Sequence, residues 1–153
     1  MTDRLRTIAP DLLQELSDAS SVTQRMVASA IVQHVLRVAG VDGHEIDDAL
    51  NALSQEDFGE GRHFSALRSL VESLDERAFD ICDLLEEGEA SEVEYLVAFR
   101  SARAANALEA ALNVDPLAAA ADSLYESLHS VEDQESVRDI AAGVFRAQRA
   151  AGS

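Results

Sequence analysis

A chain of 153 residues with 47% hydrophobic and 27% charged residues is long enough and apolar enough to bury a core as one domain, which excludes a disordered chain. Twenty-nine acidic residues stand against twelve basic ones, giving a formal net charge of −17. All twelve basic residues are arginine, and so strong an acidic excess disfavours direct contact with nucleic-acid backbones or anionic membrane surfaces.

Residues 1–9 read as a loose start, and the N-terminal MTDRLRTIAPDLL lacks the apolar core of a secretory signal. Pro10 and Asp11 open a short helix through about Asp18. Ser20 or Ser21 then caps a longer one, apolar at Val27, Ile31, Val35 and Val38 and ending at Gly40. The longest apolar run, AIVQHVLRVAG, is interrupted by Gln33, His34 and Arg37 and cannot span a bilayer. VDGHEIDDALNAL reads as a tight turn into a third helix, and Gly59 and Gly61 break the chain again.

The stretch from Arg62 to Glu87 has helical periodicity throughout, with a Ser73-Leu74-Asp75-Glu76 capping box that could divide it. Ser91-Glu92-Val93-Glu94 is a second capping box. It opens a helix whose Val93, Leu96, Val97, Ala104, Ala107, Leu108, Ala111 and Leu112 form one apolar stripe. Asp115-Pro116 starts the next helix and Asp133 caps the last, with 150–153 loosely ordered. The expectation is an all-α, single-domain bundle of seven to eight helices spanning 1–153. Alanines at 102, 104, 105, 107, 110 and 111, then at 118–121, predict two helices packed closely and antiparallel at its centre.

No nucleotide-binding glycine loop, nucleophile elbow or zinc-type cysteine pair is present, so the chain leans away from an enzyme and no cofactor is expected. The lone Cys82 excludes an internal disulfide and, beside Asp80 and Asp83, reads as a small core residue. With no signal or span, a cytoplasmic protein is expected. His34, inside an apolar helix, reads as a polar core or interface group. His44, Glu45, Asp42, Asp47 and Asp48 suit a helix start, where the dipole favours acids, better than a calcium loop. Two E-x-x-H pairs, Glu60/His63 and Glu126/His129, have the spacing by which helical bundles hold two metal ions. They define an alternative metal-binding or enzymatic reading against solvated residues near helix ends.

The acids lie in base-free blocks at 42–60, 80–94 and 109–135. Loops at 42–60 and 86–94 would form one negative face if they shared a side of the bundle. Arginine without lysine also fits the codon bias of a GC-rich genome, and acidity fits solubility in salt. If the acidity is functional, a basic protein partner is its natural complement, with Glu86, Glu87, Glu89, Glu92 and Glu94 as contacts and Tyr95 as an aromatic anchor. A homodimer packed through the alanine-rich helices is the remaining alternative to a monomer.

GVDGHEIDDALNAL, FSALRSLVESL, EEGEASEVEY, LVAFRSARAANALEAAL and DPLAAAADSLYESL, taken in that order, resemble the YjaG-like family of bacterial all-helical proteins and helical immunity-type proteins encoded beside toxins. The chain is shorter than that family and lacks its tryptophan and aromatic richness. The resemblance implies an all-α bacterial protein and carries no active site with it.

Overall fold

The computed structural model describes residues 3–59 and 62–152, and the side chains of all of these except Arg62 and His63. Eight helices and no strand occur among the described residues: α1 (Asp3–Ile8), α2 (Pro10–Asp18), α3 (Ser21–Ala39), α4 (His44–Ser54), α5 (Arg62–Glu86), α6 (Glu92–Ala111), α7 (Pro116–Ser130) and α8 (Gln134–Ala151). No helix among them is long and apolar enough to cross a membrane.

Local chemistry sets most of the boundaries. The Ser20 hydroxyl accepts from the Thr23 amide at the start of α3, and Gly40 ends that helix at φ 70°, where a side chain would be strained. Ser91 and Glu94 satisfy each other's amides, at 3.2 and 2.7 Å, in a complete capping box. Asp115 caps α7 ahead of Pro116, and the Asp133 carboxylate accepts from the Glu135 amide at the start of α8.

Two expected features are replaced. The loose start is instead a short helix: Leu5 and Ala9 are fully buried, and Arg4 reaches Glu126 on α7. Burial and this ion pair therefore hold residues 3–9. The Ser73 box does not divide α5, which runs unbroken for 25 residues. Leu67, Val71 and Leu74 keep one stripe against the body, and the Asp75 carboxylate that would favour a new N-terminus accepts from Arg103 and Asn106 instead.

α3, α6 and α7 form the centre, each packed on the other two. α1 and α2 lie against α7, and α8 against α3 and α7; α4 and α5 flank the opposite side, on α6. Ala104, Ala105, Ala107, Ala111, Ala119, Ala120 and Ala121 are fully buried, as the small-residue pattern predicts for the α6–α7 pair. Their short connection and the Arg103–Glu126 pair make the two helices antiparallel. Arg25 fastens this turn, donating to the Ala111 and Val114 carbonyls at 3.2 and 2.9 Å and stacking 3.6 Å from the Phe58 ring. These alanine faces are spent inside one chain.

Candidate functional site

The most unusual region is the outer half of the α5–α6 hairpin. Leu74 is the last hydrophobic residue of α5 packed on the main core, and Ala104 the first of α6 buried in it. Beyond them the two helices pack on each other through a small cluster of Ala78, Ala98 and Ala102 with Leu74 and Ile81 against it. Small residues let the helix backbones close, and the larger apolar side chains are left facing outward. Phe79 and Val93 are each 70% exposed, Val97 60% and Leu84 38%.

This corrects the apolar stripe read for α6. Its C-terminal half, Ala104, Ala107, Leu108, Ala111 and Leu112, is buried in the body. In its N-terminal half Leu96 is half-buried, while Val93 and Val97 stand exposed past the last helix that could cover them. Periodicity says which residues share a face; it does not say whether another helix reaches that far.

The exposed residues border two grooves on opposite flanks of the hairpin. One, of about 480 Å³, lies between Leu74, Arg77, Ile81 and Leu84 of α5 and Val93, Val97 and Ala98 of α6, with Glu89 and Glu94 at the turn end. The other, of about 380 Å³, is lined by Ala78, Phe79, Cys82, Tyr95 and Phe99, with Asp75 and Arg103 at its base. Cys82 is therefore half-buried at a groove, not a core residue. Tyr95 packs on Phe99 with ring centroids 5.9 Å apart and forms a wall of the second groove.

Glu86, Glu87, Glu89, Glu92 and Glu94 are all exposed and gathered around the α5–α6 turn. Glu94 also closes its capping box. The acids of loop 55–59 do not join them. That loop precedes α5 and the glutamates follow it, about 37 Å away along 25 residues of helix. Of the 42–60 block, Glu56 and Asp57 therefore lie at the far end of α5 from these glutamates. The exposure of Phe79, Val93 and Val97 was hidden from the sequence, and the one signal that pointed to it is the 25-residue length of α5.

A chain of ion pairs anchors the hairpin to the body. Arg103 of α6 donates to Asp75 of α5 at 2.6 Å and to Glu126 of α7 at 2.8 Å, and Arg4 of α1 takes the other Glu126 oxygen at 3.1 Å. Asn106 also donates to Asp75, at 3.1 Å. Glu126 is 4% exposed, so the solvated reading of that residue is wrong. Both its oxygens accept from guanidinium groups, while His129 turns its Nδ1 to the Tyr125 carbonyl at 2.9 Å. The E-x-x-H pair is thus not assembled as a pair of ligands. Glu60 and the side chain of His63 lie outside the described residues, and among those described no three His, Cys, Asp or Glu side chains converge on a possible metal position. His34, half-buried between α3 and α8, sits 3.3 Å from the Ser136 hydroxyl, an interface role as its pattern implied.

A third cavity, of about 590 Å³, opens beside this ion-pair chain between Arg4, Phe64, Arg68, Asn106, Glu109 and Asp122. Burial pushes the Glu109 carboxyl above its ordinary value, helped by Asp75 and Glu72 and opposed by Arg68. Burial does the same to Asp122, with Glu126 adding to it and Arg4 opposing. Glu109 Oε2 and Asp122 Oδ1 are buried without a hydrogen-bond partner among the described residues.

The chain matches no protein-family model, no curated protein and no solved structure.

Proposed function

We propose that the chain is a non-enzymatic protein-interaction domain whose α5–α6 hairpin is the binding element and whose partner is a basic protein. One observation carries this reading: Leu84, Val93 and Val97 stand exposed along one groove of a projecting hairpin, with Phe79 exposed on its other flank, and five glutamates ring the turn. Contiguous exposed apolar surface bounded by polar groups is characteristic of interaction sites. Apolar side chains at the centre supply affinity when desolvated, and the surrounding charges set encounter rate and partner choice. The resemblance to immunity-type proteins points to the same class, in which an acidic surface meets a nucleic-acid-acting partner.

The test is affinity capture from the native source with the wild-type chain and a Val93→Asp/Val97→Asp variant. A basic protein retained by the wild type, lost by the variant and released as salt rises from about 0.05 to 0.5 M supports the reading. Equal retention by both chains, or retention indifferent to salt, overturns it.

A further inference from the structure

Resting on that reading, we infer that the partner presents a single amphipathic α-helix, which lies lengthwise in the groove between Leu74–Leu84 of α5 and Val93–Val97 of α6 as the third helix of a local three-helix unit. Leu74, Ile81 and Leu84 repeat at helical spacing along one wall, and Val93 and Val97 along the other. Two parallel apolar ridges with a trough between them are what the apolar face of a third helix fits. From Leu74 to Leu84 the trough extends about 15 Å, or roughly three turns of an occupant helix.

Charge selects the occupant and its direction. Between residues 74 and 101 the hairpin carries nine acidic residues and two arginines. A second copy of this chain would bring like charge against like, whereas a basic helix is complementary. Within the groove the charges are polarised: Glu89 and Glu94 stand at the turn end, and Arg77 toward the body. The occupant's basic residues therefore gather at the end nearest the α5–α6 turn, with a carboxylate favoured at the end nearest Arg77.

A designed 14-residue peptide tests this, with leucines on one helical face, lysines clustered toward one end and a glutamate at the other, labelled for fluorescence anisotropy against the full chain. A scrambled peptide of the same composition, with no apolar face, is the control. The expected result is at least tenfold tighter binding of the amphipathic peptide. Val93→Asp/Val97→Asp should remove that advantage while leaving the thermal melt unchanged, since both valines are mostly exposed. Arg77→Glu should weaken binding of the peptide by several fold and favour a version whose glutamate is replaced by lysine.

Equal binding of the scrambled peptide overturns the groove inference but leaves the acidic hairpin as a basic-protein site. Binding of neither peptide overturns both. A dimer seen by light scattering and abolished by Val97→Asp makes a second copy the occupant and overturns this assignment.

Discussion

α6 passes through two environments, and comparing its halves shows what separates a packed helix from a presenting one. Residues 104–112 contribute alanines and two leucines to a core shared with α3 and α7. Residues 92–101 keep the same helical geometry and an equally apolar face, yet Val93 and Val97 stand in solvent. The difference is coverage. A helix inside a bundle is stabilised by the burial of its stripe, whereas the outer hairpin depends on three alanines, a capping box and an ion-pair anchor.

Truncation should separate the halves most sharply. Leu108→Ala, at a fully buried site, is expected to cost about 3 kcal/mol or more in chemical denaturation, against less than about 0.5 kcal/mol for Val97→Ala. Comparable losses at the two sites would mean that the outer hairpin is covered in solution. Next in size is the anchor. Arg103→Met leaves Asp75 without its guanidinium and Glu126 with Arg4 alone, and should cost about 2 kcal/mol. Glu126→Gln should cost less than Arg103→Met, because a neutral amide tolerates burial better than a carboxylate left with one of its two guanidinium partners.

The third effect is smaller and depends on pH. The folded-state pKa of Glu109 is raised above its unfolded value, so the folded chain binds the proton more tightly and its stability falls as pH rises through that interval. Glu109→Gln should therefore raise Tm at pH 7 by on the order of one or two degrees, with the gain shrinking toward about pH 4. A gain that is constant with pH would assign the effect to the packing or hydrogen bonding of the amide instead of to the buried charge. The smallest effect belongs to the rim: Glu86→Gln/Glu87→Gln should leave Tm within about a degree of wild type, because both side chains are solvated.

Features decided within a few residues were legible in the sequence. Ser20, the Ser91–Glu94 box, Asp115-Pro116 and Gly40 mark ends because their own side chains or backbone satisfy nearby groups. The alanine runs disclosed the α6–α7 pair because small side chains at helical spacing have one principal use. What failed depends on distant segments. Leu5 is buried because α1 lies on α7; Glu126 is buried because Arg4 and Arg103 arrive from far along the chain. Val93 and Val97 share the apolar stripe of α6, and nothing local reveals that the body ends at Ala104. The five glutamates were found by composition, and the apolar residues beside them only by the fold.

The separate cluster of Ala78, Ala98 and Ala102 has a consequence for how the molecule opens. With so little apolar surface holding the outer turns, their amides should exchange with deuterium through local opening, while those of α3 and α7 wait for global unfolding. An occupant of the groove should slow exchange first at the tip and lower the difference between the two tiers, so that a ligand would be visible as protection in amides it does not touch.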